Sequence, residues 1–360
     1  MKIKYYLNFI EENRQSMNMY GQQLINYQKN KFKNLEIDSY QPYLDPLSKF
    51  IFLKKWKFRY SRYISYQRQI NKLQAHDIAH ICDHQYAHLY HNLNSKLKFI
   101  TVNDLIPFVF RKKLGDPKLL RFSLKHLKFF TKVFAISNNT KKDILKFTDC
   151  PENKIEVIFR SIEKGFNVNP IDKKTISKKF NIPLNKKKIL ISGDMFYKNN
   201  EISFKVLERL IEIDKEIIFI HIGSSKKDTF TFKKFGKNII QLPFVERDEL
   251  PDIYKIIDIL LYPSIYEGFG LPILEAMSCG KPVVCSNNSS IPEVVGDVAL
   301  MSNCNDVEKF TKDILKILND KELYLSMVSK SLKRAEIFNL AEFHNNLIKI
   351  YQEELDKLNF

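Results

Sequence analysis

Short apolar runs of strand length, each ending in a polar residue, recur along this chain and leave few architectures open. The first half has a strand-like start at Lys2–Asn8, then DIAHICD (77–83), KFITVND (98–104), KVFAISN (132–138) and IEVIFR (155–160). The second half has KKILISG (187–193), EIIFIHIG (216–223), NIIQLPF (238–244), DILLYPS (258–264) and PVVCS (282–286). The runs are rich in Ile and Val, as strands covered on both faces require. Helix-like segments separate them, among them 49–74, 199–213, 247–256 and 271–279, and the tail from 305 onward is also helical. Strands alternating with helices predict parallel α/β sheets. The polar stretch 161–172, with Gly165 and Pro170, reads as a linker. The expected architecture is therefore two consecutive doubly wound halves with a cleft between them, 1–165 and 166–340. A final helix follows in 341–360, for which packing back on the first half is one placement.

A chain of 360 residues is long enough for two separate cores, and its 44% hydrophobic and 28% charged residues are those of an ordinary globular protein. No apolar run approaches the roughly 18–20 residues that span a bilayer. The start, MKIKYYLNFIEEN, is too short in apolar residues for a signal peptide, so a cytoplasmic chain is expected. Its five cysteines, Cys82, Cys150, Cys279, Cys285 and Cys304, form no C-x-x-C pair, which fits reduced structural thiols. Charge is unevenly spread: residues 1–165 carry 30 Lys+Arg against 14 Asp+Glu, or +16, and residues 166–360 carry 28 against 27, or +1. A base-composition bias would affect both halves alike. The asymmetry instead suggests that the first half meets an anionic partner.

The stretch Tyr262–Gly280, YPSIYEGFGLPILEAMSCG, carries the most chemistry. Glu267 and Glu275 stand eight positions apart around a Gly268-Phe269-Gly270 turn that feeds a helix beginning at Leu271-Pro272. A glycine turn at a helix start offers backbone N–H groups to polar or anionic ligands. Carboxylates beside it suit sugar hydroxyls better than phosphate, so the combination suggests a nucleotide sugar. GFGLPI lacks the third glycine of a dinucleotide fingerprint and comes late in the chain, which sets a dehydrogenase aside.

The block Leu250–Ala299 strongly resembles the retaining glycosyltransferases of family 4, with the GT-B fold. It shares the two glutamates with seven residues between them, the glycine turn, the A-M-x-C-G helix end, the P-V-V strand and the I-P-E-V element. Fainter similarity covers DIAHICDHQYAHL (77–89), ITVNDLIP (100–107), FAISNNTKKDIL (134–145), KIEVIF (154–159) and ILISGDMFYKNN (189–200). The resemblance implies two Rossmann-like doubly wound domains facing across a cleft, with the acceptor on 1–165 and the nucleotide sugar on 166–340. It implies that Glu267 meets donor-sugar hydroxyls, that Glu275 binds the ribose, and that Lys198 stabilises the leaving diphosphate. Gly268, Phe269, Gly270, Leu271, Gly193 and Val245 complete the donor side. The donor implied is a GDP- or UDP-sugar, with no other cofactor and no metal. The acceptor implied is a glycan or lipid-linked molecule of the cell-envelope polysaccharide or lipopolysaccharide type, reached from the cytoplasmic membrane face.

Departures from the family accompany these likenesses. Relatives often carry a basic pair where this chain has Tyr197-Lys198, and Arg160 is a further candidate for the second phosphate. Many carry His-Asp where this chain has Asn103-Asp104, and Asn cannot be protonated near neutral pH. Both residues stay on the catalytic side of the expectation, because front-face chemistry passes the acceptor proton toward the leaving phosphate. Asp83, His84 and Tyr86 are acceptor-side candidates in a loop. So is Gly21, expected to open the first helix after a polar loop over 9–19. His76, His80, His84 and His88 recur every four residues, but DIAHICD reads as a strand, so they share no helical face and no metal site is expected. KKWKFRYSRY (54–63) interleaves cations with aromatics, as a membrane-surface face or an ordinary amphipathic helix does. Nothing beside it marks nucleic acid. Two further readings stay open: a catalytically weak GT-B homologue that binds nucleotide sugar or serves a biosynthetic complex, and the same fold used by an epimerase or phosphorylase.

Overall fold

The computed structural model describes residues 1–12, 14–51, 53–223 and 234–358. The chain divides into two compact units, Met1–Phe159 with Ala341–Phe360, and Arg160–Leu340. Each is built on a parallel six-stranded sheet.

In the first unit β1 (Lys2–Tyr6), β2 (Glu36–Tyr40), β3 (His76–Ile81), β4 (Ser95–Val102), β5 (Lys132–Ala135) and β6 (Ile155–Val157) lie in the order β2-β1-β3-β4-β5-β6. Successive residues of β1 point to opposite faces, as the strand pleat demands. Tyr6 joins Tyr66, Ile81 and Phe130 on one face. Ile3 and Tyr5 join Leu24, Phe99 and Phe134 on the other. The C-terminal helix Leu340–Asp356 seals that second face by burying Phe343, Leu347 and Tyr351. Burying each such side chain contributes about 1.5–3 kcal/mol.

Gly21 does not open the first helix. That helix runs from Gln15 to Lys31, and Gly21 lies inside it. A Cβ there would stand 2.4 Å from Leu7 Cδ2. The glycine therefore serves the close approach of helix to strand, which outweighs its poor helix propensity. The basic segment 54–70 is one continuous helical rod, with a π turn at Ser61–Ser65 between Lys54–Tyr60 and Tyr66–Ile70.

In the second unit β7 (Lys187–Ser192), β8 (Ile217–Ile222), β9 (Ile239–Leu242), β10 (Ile259–Tyr262), β11 (Val283–Ser286) and β12 (Leu300–Ser302) lie in the order β12-β11-β10-β7-β8-β9. The chain runs outward from β7 to β9, returns to β10 on the other side of β7, and runs outward again. The loops leaving β7 and β10 thus diverge and open a crevice at the strands' C-terminal ends, the usual ligand position of such sheets. The corresponding reversal in the first sheet falls between β1 and β3.

The first unit buries several histidines that serve structure. His80 has Nδ1 against the Tyr351 hydroxyl and Nε2 2.8 Å from Thr101 Oγ1. His344 stacks on Tyr27 and lies 3.3 Å from Gln28 Nε2. Burial pushes His80 and His344 down to about 3 and His88 to about 4. Such a histidine takes up its proton only in the unfolded chain, where its ordinary value is 6.5. Its contribution is therefore complete above pH 6.5 and is lost as pH falls toward 4 and then 3. Each histidine costs about 1.4 kcal/mol per pH unit in that window. Urea denaturation followed in the first unit is expected to show a midpoint that falls steeply from pH 6.5 to 4.5. In His80→Gln the dependence should be shallower. An unchanged midpoint across this range would contradict the assignment.

Candidate functional site

Gly193 ends β7 with φ +93°, a conformation that favours glycine. The backbone then turns through Phe196–Lys198 into the helix Asn200–Ile213. A Cβ at Gly193 would lie 3.0 Å from Lys198 Cγ and Cε, so the glycine lets the lysine stem lie flat over the strand end. The Lys198 ammonium donates to Glu267 Oε1 at 2.8 Å and to the Tyr262 hydroxyl at 2.5 Å, and stands 4.9 Å from the Tyr262 ring centre. Tyr262 is the last residue of β10, so this contact joins the two loops that diverge at the sheet's reversal. The Lys198 and Glu267 side chains are 15% and 9% exposed. A pair this dry has shed most of its hydration, and removing one partner would strand the other charge. Burial, and then the nearby Glu267, push the Tyr262 phenol well above its ordinary range, so it stays a neutral donor.

The turn after Glu267 is held from behind. Ser289, at φ +52°, accepts the Glu267 N–H at 2.8 Å. The Ser290 hydroxyl lies 3.0 and 2.9 Å from the carbonyls of Glu267 and Phe269 and shares its proton between them. Phe269 is buried against Phe338. Gly270, at φ +108°, leads into the helix Leu271–Ser278, which Gly280 ends at φ +65°.

Glu275 is buried on that helix. Arg247 Nη1 donates to its Oε1 at 2.5 Å, while Nε and Nη2 reach Glu163 Oε1 at 3.0 and 2.8 Å. The guanidinium lies 4.7 Å from the Phe166 ring centre. Burial alone would lower the Arg247 pKa, but Glu275 and Glu163 raise it above its ordinary value. Tyr254, itself fully buried, also bonds Glu275 and is held neutral, by desolvation first and then by that carboxylate. Val245 is half-buried in the loop after β9, and Arg160 is buried in the same unit.

The remaining candidates lie in the first unit. Asp83 is buried, accepts from Asn8 Nδ2 at 2.9 Å and from Gln85 N at 3.0 Å, and pairs with Arg14. Burial would raise its pKa, yet Arg14 and His84 hold it below the ordinary carboxylate range. His84 Nδ1 lies 3.6 Å from Asp83 Oδ1, and burial lowers the ring's pKa. Asn103 donates to the Cys82 carbonyl at 3.3 Å, and Asp104 caps Ile106 N at 3.1 Å. Tyr86 does not sit in an open loop. Its ring is fully buried between Phe9 and Tyr66, and only its hydroxyl reaches Glu12, at 3.3 Å. The histidine series is dispersed among separate partners, and among the described residues no group of three His, Cys, Asp or Glu could hold a metal ion.

The structure thus brings Gly193, Lys198 and Glu267 together, and fixes Glu275 through Arg247. It places Asn103, Asp104, Asp83, His84, Tyr86 and Gly21 in the other unit. Sequence reasoning missed Tyr262, Tyr254, Arg247, Glu163 and the Ser289-Ser290 pair. Tyr262 and the serines had a signal, since they flank the glutamate turn. Arg247 had none, because its partners come from distant segments, Glu163 from a loop and Glu275 from a helix.

Two units of this topology define the GT-B fold. The structure superposes on that of Anabaena Alr3699/HepE in complex with UDP and glucose with a TM-score of 0.77, over 98% of this chain and 100% of that one at 14% identity. It superposes on WaaG, a glycosyltransferase involved in lipopolysaccharide biosynthesis, with a TM-score of 0.71 over 98% and 99% at 13% identity. The chain carries, over residues 172–334, the domain of the group 1 glycosyl transferases. It is 44% identical over 111 residues to the O-antigen chain mannosyltransferase B of Escherichia coli, 31% of this chain and 29% of that one. It is 26% identical over 257 residues to the O-antigen chain mannosyltransferase RfbU of Salmonella typhimurium, 69% of this chain and 68% of that one. The chain spans only 29% and 31% of the length of the first curated relatives it matches.

Ser290→Ala should cost about 1–3 kcal/mol, because two buried carbonyls lose their donor. It should also loosen the glutamate turn. Denaturant unfolding measures the first effect, and an increased amide exchange rate at residues 267–270 the second. Wild-type exchange at those residues would remove Ser290 from this role.

Proposed function

We propose that this protein is a retaining glycosyltransferase that moves a hexose-type sugar from a nucleoside diphosphate to a hydroxyl of a glycan or lipid-linked acceptor. The observation that carries this reading is the Lys198–Glu267 pair at the reversal of the second sheet, beside a Glu275 held in one orientation by Arg247. An ammonium has three N–H donors, so Lys198 can turn toward a diphosphate and stabilise the charge that builds on it as the glycosidic bond breaks. Glu267 would then accept hydrogen bonds from sugar hydroxyls, and Glu275 from the ribose. The N–H groups of residues 268–270 and the helix start at Leu271 would add positive potential toward the phosphates. Gly193 and Val245 would border the nucleotide. Asn103 and Asp104 are kept on the catalytic side of the proposal, and Asp83 and His84 on the acceptor side. Asn103 cannot act as a base, so the acceptor proton is assigned to the leaving phosphate.

The O-antigen mannosyltransferases among the relatives favour a mannosyl donor carried on GDP and an acceptor of the cell-envelope polysaccharide type. The UDP complex of a structural neighbour keeps UDP-sugars in the comparison. The proposed place of action is the cytoplasmic membrane face, without a metal. Asn103 and the single basic residue at Lys198 favour one second reading, a weak homologue that binds the donor without transferring it.

Thermal stabilisation by GDP, UDP and their sugar conjugates is expected for one base, by linkage of binding to folding. Glu275→Gln should weaken that nucleotide about tenfold to hundredfold, the scale of a hydrogen bond to a charged group. Glu267→Ala should abolish sugar release while retaining the fold, and chelation of divalent ions should leave release unchanged. Stabilisation without any release points to the second reading. Turnover in Glu267→Ala contradicts the site.

A further inference from the structure

Asn199 stands just before the helix Asn200–Ile213. An asparagine at such a place ordinarily turns its side chain back to cap the first N–H groups of its own helix. Here the side chain makes no cap. Its amide nitrogen donates instead to the carbonyls of Pro263 at 3.2 Å and Cys304 at 2.7 Å, 64 and 105 positions away. Pro263 follows the end of β10 and Cys304 lies just past the end of β12. Both hydrogens of one amide therefore tie the loop after β7 to two other loops at the same end of the sheet.

The backbone is arranged for these bonds. Asn199 has φ +60°, and among the described residues only Asn181 and Ser289 share a positive φ without being glycine. Asparagine visits that region more readily than most side chains. Asn199 N donates to the Phe196 carbonyl at 3.2 Å, which closes the turn Phe196–Lys198. Ile265 N donates to the Tyr197 carbonyl at 2.7 Å, and Asn200 Nδ2 holds the Gly193 carbonyl at 2.8 Å. Lys198 thus sits between two residues, Tyr197 and Asn199, that are both bonded to the loop leaving β10.

We infer that Asn199 is a positioning residue for the diphosphate, fixing the backbone from which Lys198 reaches the reversal of the sheet. The inference rests on the reading of Lys198 as the partner of the leaving phosphates. A lysine stem is long and flexible, so its charge is only as well placed as its contacts make it. Gly193 lies under the stem and Glu267 holds the ammonium. A diphosphate that draws the ammonium away from Glu267 removes the second of these contacts. The root of the side chain then decides where the charge stands, and Asn199 holds the root. Misplacement of such a group by about 1 Å costs up to roughly hundredfold in function.

Affinities for GDP and GMP, with UDP and UMP beside them, are measured by calorimetry on the full chain. The proteins are wild type, Asn199→Gly and Asn199→Ala, each also carrying Lys198→Met. Glycine keeps the left-handed backbone and removes only the amide, so Asn199→Gly should retain wild-type affinity for the monophosphate. Its preference for diphosphate over monophosphate should fall about tenfold to hundredfold. Asn199→Ala should lose at least as much. Lys198→Met should already lack the preference, and adding Asn199→Gly should change it no further, because two residues that act as one are not additive. A wild-type preference in Asn199→Gly overturns the inference, even if Asn199→Ala fails, since the backbone conformation alone would then be the role. Equal losses of monophosphate and diphosphate affinity overturn it too, as does an Asn199→Gly loss that adds in full to that of Lys198→Met. A wild-type preference in Lys198→Met overturns the diphosphate reading and this inference together. Loss of the preference in Lys198→Met but not in Asn199→Gly leaves that reading standing and removes Asn199 alone.

Discussion

Lys198 and Glu267 hold each other at the point of the second sheet where the loops after β7 and β10 part. Neither loop could place its charge there alone. Lys198 needs Gly193 beneath its stem, and Glu267 needs Ser289 and Ser290 behind its backbone. Tyr262, at the end of β10, receives the ammonium, and burial keeps its phenol neutral. The pair is costly to bury without partners, so the surrounding groups are arranged to satisfy it. In the proposed reaction the same dryness gives the lysine its strength, because charge forming on a diphosphate is screened little there.

A second ion pair does a different job. Arg247 binds Glu275 with one nitrogen and Glu163 with two others, and leans on Phe166. Glu163 and Phe166 belong to the segment that begins the second unit. The orientation of Glu275 is thereby set by residues well outside the glutamate motif. A carboxylate fixed by Arg247 and Tyr254 loses little freedom when a ribose arrives, which is how preorganisation favours binding.

Much of the fold could be read from the sequence because buried parallel strands are written in Ile and Val. β4, β7, β8, β10 and β11 are all such runs. β2 (EIDSY) and β12 (LMS) escaped because both are short edge strands, and β2 also carries the exposed acids Glu36 and Asp38. Gly21 misled because a glycine that admits a close neighbour looks in sequence like one that makes a turn. Within the site, Glu267, Glu275 and the glycine turn were legible through local spacing. Arg247 was not, since its meaning comes from Glu163 and Glu275, 84 and 28 positions away. Tyr86 carried a polar group and sat after a strand, yet tertiary packing made it core. Local chemistry is readable when one turn holds it, and hidden when the partners come from distant segments.

The central claim is that the reversal of the second sheet receives a nucleoside diphosphate sugar. A crystal structure with the nucleoside diphosphate that stabilises the protein tests it most directly. The account predicts phosphate oxygens within hydrogen-bond distance of Lys198 Nζ and the ribose hydroxyls on Glu275. A nucleotide seated instead at the Asp83–Arg14 cluster of the first unit, with the Lys198–Glu267 pair undisturbed, would contradict it.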